Sequence, residues 1–257
     1  FLHDFVQRKA LDTEMQLTPL MKQVKPVQAL ARWKSLAHLR RQVKDPALRA
    51  KLVPDFPIGA KRVLFNDDYY PTLSRPNVEL VTDSIECIEP DGIRSRTGQL
   101  YPADVIIYAT GFKSTDFLAP MQITGRGGLD LKQEWAKGAR AYLGVTVTGF
   151  PNFFMLYGPN TNLGHNSILV MIEAQVGYIL DALAKMKSRG VKRIDVKRDV
   201  LESYNRSLQQ DLARSVWAAT GASWYKLADG TITNNWPHST IRYQRLLREA
   251  KLEDYDS

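Results

Sequence analysis

Apolar residues recur along this chain with two spacings, and each spacing predicts a different kind of element. A β-branched run at 105–107 lies between Asp104 and Gly111 and predicts a strand buried on both faces of an α/β sheet. Apolar runs at 142–147 and 153–157 predict two more strands. The first and last of these runs each lead into a glycine turn, and α/β folds place ligands at such strand ends.

A helical spacing follows between residues 167 and 189. The apolar residues there recur at a period of about 3.6, and Gly190 suits the position just after a helix end. Further helices are expected at 198–219 and 239–249, a strand at 193–196, and a hairpin at 223–236 that turns at Asp229-Gly230. The residues of the 167–189 stripe, which are expected to face the core, are Ile168, Leu169, Ile172, Val176, Ile179, Leu180, Leu183 and Met186.

The first part of the chain has a different pattern. Residues 1–52 are rich in Leu, Ala, Lys and Arg and are interrupted by prolines, which predicts several short helices. Strands are expected at 77–81 and 84–88, followed by a turn at Asp91-Gly92. This pattern is typical of the end of a dinucleotide-binding domain.

Several short motifs follow one another in an informative order. They are Gly59-Ala60-Lys61-Arg62, Pro76-Asn77-Val78, Ala109-Thr110-Gly111-Phe112, Phe150-Pro151-Asn152, Gly158-Pro159-Asn160 and Ser223-Trp224-Tyr225. In this order they resemble the C-terminal half of the class B flavoprotein monooxygenases, and the Baeyer–Villiger type more than the others. The resemblance runs from roughly residue 50 to the end of the chain.

The glycine-rich turns of that family are missing from this sequence. A complete member binds FAD and NADPH through two Gly-x-Gly-x-x-Gly turns, and the nearest candidate here, at 125–128, has the wrong spacing. We therefore expect a fragment: a partial, Rossmann-like α/β flavoprotein with two dinucleotide-binding domains, whose N-terminal half is missing. Its expected parts are a helical segment of the NADPH domain at 1–52, the C-terminal part of the NADPH-binding domain at 53–112, and the C-terminal part of the FAD-binding domain at 113–257.

The pair Lys61-Arg62 is the main catalytic candidate. By resemblance, Arg62 matches the active-site arginine of the family, and a fixed guanidinium would stabilise a flavin peroxide anion and the charge that develops on a carbonyl oxygen. Lys61 matches a lysine that favours NADPH by meeting its 2′-phosphate. The alternative is an ordinary pair of solvent-exposed basic residues.

Three further cofactor-binding candidates come from the family motifs. Trp224 matches a tryptophan that approaches NADP, since an indole offers one N–H donor on a large flat ring. Thr110 and Gly111 match a linker between the NADPH and FAD domains. Tryptophans are often core residues, which is the expectation for Trp135 and Trp217.

The turn before the 167–189 helix supplies the remaining cofactor-binding candidates. Asn166 or Ser167 is expected to cap the helix, whose N-terminal end carries about half a positive charge. By resemblance, this end would point at the flavin pyrimidine edge, with Asn160 and Asn162 as side-chain contacts. The alternative is a capped helix preceded by a polar loop.

Composition and charge exclude several other functions. The net charge of +8 comes from basic residues that are dispersed and concentrate only at 32–41 and 185–198, which is typical of a solvated surface, so we expect no nucleic-acid partner. The histidines have no metal-ligand spacing and Cys87 is alone, so no metal site is expected. A single cysteine fits a reducing cytoplasm, and no run approaches the ~20 apolar residues of a membrane span.

Together these observations predict part of an FAD- and NADPH-dependent monooxygenase. The expected reaction inserts one oxygen atom of O2 into a ketone, giving an ester or lactone, and the fragment alone is expected to be inactive. One alternative is an N- or S-oxygenating flavin-containing monooxygenase that acts on a soft heteroatom and needs no Arg62. An alternative from another class is a non-catalytic binding module that kept the fold without the cofactors.

Overall fold

The computed structural model describes residues 25–257 except 63, 65, 165 and 222. Helices predicted before residue 25 lie outside the described residues. The chain divides into two compact units. Of the described residues, the C-terminal unit comprises 25–29, 56–62 and 113–257, and the sheet unit comprises 30–55 and 64–112.

Three helices and an antiparallel sheet occupy the first part of the chain. Asp45 caps the second helix by accepting hydrogen bonds from the backbone N–H groups of Ala47 (2.9 Å) and Leu48 (3.2 Å). The three strands pair in the order β1-β2-β3. The elements are α1 (Lys25–Gln42), α2 (Pro46–Leu52), α3 (Tyr69–Leu73), β1 (Ile85–Glu89), β2 (Gly92–Ser95) and β3 (Leu100–Pro102).

The β1–β2 hairpin confirms the predicted strand at 84–88 and the turn at Asp91-Gly92. Gly92 pairs with Glu89 across the turn at a φ of 153°, and a side chain there would lie 2.1 Å from the carbonyl oxygen of Tyr101. Cys87 lies in β1 and is exposed. The strand expected at 77–81 does not form.

The predicted buried strand at 105–107 is wrong for this chain. Residues 105–112 form no strand, and the exposed fractions of Val105, Ile107 and Phe112 are 77%, 86% and 89%. A strand with two apolar faces needs neighbouring strands and covering helices. The described residues provide no strand to pair with it, because the sheet ends at β3.

The C-terminal unit combines helices with long stretches of turns and loops. Its short strands β4 and β5 pair antiparallel, with Asp195 opposite Asp256 and Val196 opposite Tyr255. Single turns of 3₁₀ helix occur at Arg126–Gly128 and at Leu252–Asp254. The elements are α4 (Leu131–Glu134), α5 (Ile168–Ser188), α6 (Arg198–Ala213), α7 (Thr240–Leu246), β4 (Asp195–Val196) and β5 (Tyr255–Asp256).

Helix α5 confirms the predicted helix, but its predicted core stripe is mostly wrong. Of the eight stripe residues only Met186 is buried, and Leu169, Val176, Leu180 and Leu183 are exposed. The helix is apolar on two faces, and periodicity alone does not tell which face meets the core. The residues that do so are Met171, Gln175, Tyr178, Ala182 and Met186.

The strands expected at 142–147 and 153–157 are turns and loops instead. The backbone N–H of Tyr142 donates to the oxygen of Thr146 (2.8 Å), closing a tight turn that needs a φ of 70° at Gly144. Further on, the N–H of Met155 donates to Val145 (2.9 Å), and that of Tyr157 donates to a side chain. These backbone groups are therefore satisfied without a strand ladder.

The other predicted elements of this unit are confirmed in shorter form. The helices expected at 198–219 and 239–249 are α6 and α7, and the strand expected at 193–196 is the two-residue β4. The hairpin expected at 223–236 consists of one bridge, between Lys226 and Ile232, around the predicted turn.

The core of the C-terminal unit holds large aromatic side chains. Trp135 and Trp217 are buried, as expected, and Trp236 is buried against the ring of Tyr243, with ring centroids 5.1 Å apart. Among the described residues no helix is long and apolar enough to cross a membrane.

Two buried tyrosines and the partly buried Tyr142 attach the last residues of the chain to this core. The Tyr142 hydroxyl donates to the carboxylate of Asp254 (2.7 Å), and the hydroxyls of Tyr178 and Tyr255 share a hydrogen bond (2.7 Å). Burial raises the pKa of Tyr142 and of Tyr178 well above the ordinary value for a phenol.

Candidate functional site

Arg62 follows a buried anchor and makes one side-chain hydrogen bond at its tip. Two residues before it, Ala60 is fully buried in the core, and the Ala60 N–H donates to the oxygen of Pro57 (3.1 Å). Lys61 and Arg62 follow this anchor and are exposed. The Arg62 guanidinium donates from Nη2 to Oδ1 of Asn162 at 3.4 Å. The fold therefore brings together two motifs that are 100 residues apart in sequence.

Asn162 is the centre of a buried polar network. Its Oδ1 also accepts a hydrogen bond from the Tyr157 hydroxyl (2.9 Å), and its Nδ2 donates to Oδ1 of Asn235 (2.7 Å). The backbone of Asn162 pairs with a neighbouring segment through its N–H to Asn234 and its carbonyl to Trp236, both at 2.9 Å. Side chain and backbone together hold Asn162 in one position.

The Arg62 guanidinium is compatible with only one orientation of the two amides in this network. A guanidinium can only donate, so the atom of Asn162 that faces it must be the oxygen, and Nδ2 must face Asn235. Asn235 must then turn its own oxygen toward Asn162. Its Nδ2 is left buried with no hydrogen-bond partner among the described residues. The network thus contains one unused donor.

The pKa of Tyr157 also depends on burial in this network and on Arg62. Burial raises the pKa of its phenol, the Arg62 charge lowers it, and the neighbouring Tyr225 raises it further, with a net upward direction. The phenol therefore stays protonated at neutral pH and can donate to Asn162.

Lys61 points in a different direction from the network. Its Nζ lies 4.3 Å from the centroid of the Phe56 ring, a cation–π arrangement. The side chain is exposed, and a phosphate could reach it from solvent. Its predicted role in meeting the 2′-phosphate of NADPH stays a prediction.

Asn160 is used mainly to shape the loop. Its side-chain Nδ2 donates to the carbonyl oxygens of Ile232 (2.7 Å) and Asn235 (3.2 Å), so both amide hydrogens are occupied. Its φ of 58° is in the left-handed region, which Asn tolerates better than most residues. Only its Oδ1 is available for a cofactor contact.

The N-terminal end of α5 is capped by Ser167, one of the two residues expected there. The Ser167 hydroxyl accepts from the N–H of Leu169 (3.3 Å). Asn166 accepts from the N–H of Ser167 through Oδ1 (2.7 Å) and donates to the hydroxyl of Thr240 through Nδ2 (3.3 Å). The loop that carries Asn162 leads directly into this helix end.

Trp224 lies on the surface of the C-terminal unit, 46% exposed. Its backbone oxygen accepts from the Ser114 hydroxyl and from Nδ2 of Asn234 (3.3 Å), and its ring packs against Tyr225 at 5.2 Å between centroids. The backbone is thus fixed while much of the indole remains accessible. This arrangement suits a ring that contacts a ligand.

Thr110 and Gly111 belong to the sheet unit and not to this network. Both are exposed, and Gly111 has a φ of 86°. Their predicted role as a cofactor-binding linker stays a prediction from the motif.

Sequence reasoning missed Tyr157, Asn235 and the buried Gln175 as polar contributors. Gln175 accepts from the N–H of Tyr157 (2.9 Å) and donates to the Tyr243 hydroxyl (2.9 Å). Only its place in an otherwise apolar stretch of α5 distinguished it in the sequence. The partners of Asn235 and Gln175 are distant along the chain, and the contact of Tyr157 with Asn162 crosses a loop without regular structure, so no periodic pattern could reveal them.

A histidine and carboxylate pair was also missed. His238 Nε2 lies 2.9 Å from Oδ2 of Asp211, and Arg242 approaches its Nδ1 at 3.3 Å. Burial lowers the pKa of His238, the Arg242 charge lowers it further, and Asp211 raises it only in part. Within the described ranges no cluster of three or more metal-ligand side chains occurs.

Comparison with curated proteins gives two close sequence relatives. A protein named Baeyer-Villiger monooxygenase from Pseudomonas aeruginosa is 43% identical over 234 residues, which is 90% of this chain and 44% of that protein. A protein of the same name from Streptomyces coelicolor is 38% identical, over 83% of this chain and 41% of that protein. The chain therefore spans less than half the length of these relatives. No family model matches the chain.

Solved structures give the same result. The crystal structure of OTEMO in complex with FAD and NADP matches with a TM-score of 0.81 and 29% identity, over 92% of this chain and 45% of that one. Oxidized steroid monooxygenase bound to NADP matches with a TM-score of 0.77 and 33% identity, over 88% of this chain and 44% of that one. These matches confirm the predicted resemblance and the predicted fold class, a partial α/β flavoprotein.

Proposed function

We propose that this chain, which is similar over most of its length to Baeyer–Villiger monooxygenases, forms part of an FAD- and NADPH-dependent enzyme that converts a ketone and O2 into an ester or lactone. The observation that carries the proposal is the contact between Arg62 and Asn162. It joins the basic motif to the loop that precedes α5, the two segments for which the resemblance implies a catalytic and a flavin-contacting role.

The residues around this contact fit a flavin. An isoalloxazine presents carbonyl oxygens and becomes anionic when reduced, so it needs hydrogen-bond donors and positive charge. The site offers the Arg62 guanidinium, the N-terminal end of α5, and the unpaired Nδ2 of Asn235. FAD, when bound and reduced by NADPH, would supply the activation of oxygen.

The role that we propose for Arg62 is electrostatic. A guanidinium that is held in place stabilises negative charge as it develops on oxygen. We further propose that Asn166, Ser167, Asn162 and Asn160 contact the flavin.

For the nicotinamide cofactor we propose contacts from four residues. Trp224 would pack on the nicotinamide end and Lys61 would meet the 2′-phosphate, in keeping with the exposure of both side chains. Thr110 and Gly111 would link the two nucleotide-binding domains.

The proposed division of the chain follows the same resemblance. Residues 113–257 would form the C-terminal part of an FAD-binding domain, 53–112 that of an NADPH-binding domain, and 1–52 a helical segment beside it. The change of compact unit between Phe112 and Lys113 supports the second boundary. Residues 56–63 group with the C-terminal unit, which argues for moving them from the second part to the third.

The substrate class and location are finer proposals. The names of the relatives favour a ketone over a soft heteroatom, and they give no support to a non-catalytic module. A cytoplasmic location rests on the single cysteine.

The experiment that tests this function uses a chimera of this chain with a longer relative. The chain would be joined to the N-terminal remainder of the Pseudomonas aeruginosa relative, loaded with FAD and NADPH, and given a panel of cyclic and linear ketones under isotope-labelled O2. We expect an ester or lactone that carries one labelled oxygen atom. Oxidation of amines or sulfides without ketone turnover would contradict the proposal.

Two variants of the chimera test the assigned role. Arg62→Ala should abolish ester formation, a loss of at least about a hundredfold, while NADPH oxidation continues. The matched control Arg206→Ala removes an exposed arginine of α6 and should leave turnover unchanged. Intact ketone turnover in Arg62→Ala would show that the residue is not part of the machinery.

A further inference from the structure

We propose that Asn162 is a positioning residue that holds the Arg62 guanidinium, and that Tyr157 and Asn235 keep the Asn162 amide oriented for this task. The inference rests on the proposed function of Arg62 and extends it to three residues that no motif assigned to this role. Its structural basis is the chain of hydrogen bonds from Arg62 to Asn162 (3.4 Å), from Tyr157 to Asn162 (2.9 Å), and from Asn162 to Asn235 (2.7 Å).

An exposed arginine side chain needs a hydrogen-bond partner to fix its position. Its side chain has several rotatable bonds and loses up to about 2 kcal/mol of rotamer entropy when ordered. Arg62 is exposed, and among the described residues no carboxylate lies within ion-pair distance of it. Asn162 is the contact that restricts its tip.

An amide holds this charge better than a carboxylate would for the proposed reaction. A carboxylate partner would neutralise much of the field of the guanidinium, so less would remain for a developing oxyanion. The Asn162 amide is neutral and accepts one hydrogen bond from Arg62. It fixes the guanidinium and leaves its positive charge available.

The side chain of Asn162 is not needed to connect the loop to its neighbour. Its backbone N–H and carbonyl already make that connection, to Asn234 and Trp236 at 2.9 Å each. The side-chain oxygen, by contrast, serves only Tyr157 and Arg62 among the described residues. The network therefore has a function beyond loop structure.

The orientation of the amide depends on the other two residues. A free asparagine amide can rotate by half a turn, which would present its Nδ2 to Arg62 and repel it. The Tyr157 hydroxyl donates to the oxygen side, and the buried Asn235 oxygen accepts from the nitrogen side. With Asn235 in its observed orientation, the flipped state would place two amide oxygens against each other and remove the acceptor of the Tyr157 hydroxyl, so the oxygen of Asn162 stays toward the arginine.

The test measures the motion of one guanidinium in the full 257-residue chain. Magnetic resonance of isotope-labelled arginine gives the rate of rotation about the Nε–Cζ bond, and Arg62→Lys identifies the Arg62 signal by its loss. In the unsubstituted chain we expect slow rotation for Arg62 relative to Arg206, an exposed arginine on α6. Equal rates for the two would overturn the inference.

Substitutions then test whether Asn162 is the residue that restricts the Arg62 guanidinium. Asn162→Ala should speed the rotation about fivefold, the change expected from one hydrogen bond. Asn234→Ala is the matched control, because it removes the adjacent buried amide, which contacts Ser114 and Trp224 instead, and it should leave the rate unchanged. An unchanged rate in a folded Asn162→Ala chain would refute the assignment.

A more conservative substitution provides a second test if the Asn162→Ala chain does not fold. Tyr157→Phe removes one half-exposed hydroxyl and keeps the ring, and it should speed the rotation of Arg62 by a smaller factor. No change in Tyr157→Phe would equally overturn the role of the network. Because no cofactor is needed, a freely rotating Arg62 would contradict this inference alone, whereas the absence of ester from the chimera would contradict the proposed function alone.

Discussion

The C-terminal unit and the sheet unit use apolar residues in opposite ways. The C-terminal unit buries a continuous cluster that includes Trp217, Trp236, Tyr178 and Tyr243. In the sheet unit Leu39 and Val43 are the only buried hydrophobic side chains among the described residues. Its most strand-like apolar run, at 105–108, is exposed.

This difference shows that an apolar pattern predicts that a segment packs against another surface. It does not predict which part of the protein provides that surface. Burying apolar area stabilises a fold by about 25 cal/mol per Å², but only where another surface covers it. The C-terminal unit supplies its own covering surfaces, and the segment at 105–108 does not find them within the described chain. The relatives are more than twice as long as the matched region, so the remainder is where we would look for its cover.

The largest expected effect comes from Gly144 in the C-terminal unit. Gly144 has a φ of 70°, and an added Cβ would lie 2.2 Å from Cγ2 of Thr161, whose hydroxyl is fixed to Gly158 (2.7 Å). Gly144→Ala should lower the free energy of unfolding by about 3–5 kcal/mol, measured by urea denaturation. It should also disturb the loop that carries Asn162.

Gly177→Ala provides the control for this substitution. Gly177 lies in α5 with open space around its Cα, so an added methyl group should raise the free energy of unfolding by about 0.5–1 kcal/mol. Equal effects from the two alanines would mean that the tight turn at Gly144 is not rigid.

The next prediction contrasts one valine with one isoleucine. Val145 is fully buried in the C-terminal unit, and Val145→Ala should cost about 2–3 kcal/mol in urea denaturation followed by tryptophan fluorescence. Ile107→Ala in the sheet unit should change the free energy of unfolding by less than about 0.5 kcal/mol, because Ile107 is exposed.

The chimera with the longer relative sharpens this contrast. If the added chain covers the segment at 105–108, Ile107→Ala should become destabilising there by about 2 kcal/mol or more. A large cost in the isolated chain would contradict the exposure of Ile107. If Ile107→Ala does not destabilise the chimera, the added chain does not cover the segment at 105–108.

The smallest effect concerns the pH dependence of the C-terminal unit. Burial and Arg242 hold the pKa of His238 below its value in the unfolded chain, about 6.5. The unfolded chain therefore binds more protons, and stability should be full above that value and fall as the pH drops through it toward the folded pKa. Denaturation midpoints between about pH 8 and about pH 5 check the direction.

Three variants separate the causes of this shift. His238→Gln should reduce the loss of stability at low pH. In a magnetic resonance titration, Asp211→Asn should lower the pKa of His238 further and Arg242→Gln should raise it. A His238 pKa at or above about 6.5 would contradict the described burial.

Local signals allowed much of the fold to be predicted. The bounds of α5 follow from a residue period, Ser167 at its start and Gly190 after its end. The first strand and the turn of the β1–β2 hairpin follow from the strand-like segment at 84–88 and from Asp91-Gly92. These elements were predictable because the residues that determine each of them lie close together in the sequence.

The remaining features depend on contacts between distant residues. The run at 142–147 has a strand-like composition, but the conformations of Leu143 and Gly144 fold it into a turn that also receives the side chain of Gln175. The predicted core stripe of α5 is mostly on the wrong face because both faces are apolar. A pattern of hydrophobic residues cannot choose between two such faces.

The candidate site was predictable to the extent that family motifs cover it. Arg62 and Asn162 were both predicted, for separate reasons, and the fold brings them into contact. Asn235 was not, because it is 73 residues from its partner and lies in a stretch with no motif. Whether each predicted residue binds a cofactor stays a prediction.

The three tyrosines that pack around the C-terminal residues provide an optical probe of folding. Tyr142, Tyr178 and Tyr255 all have a pKa raised by burial, so they remain un-ionised in the native chain when exposed phenols titrate. An alkaline titration followed by phenolate absorbance would therefore show an early, partial rise from the accessible tyrosines. The remaining absorbance would appear only when the C-terminal unit opens, without any added label.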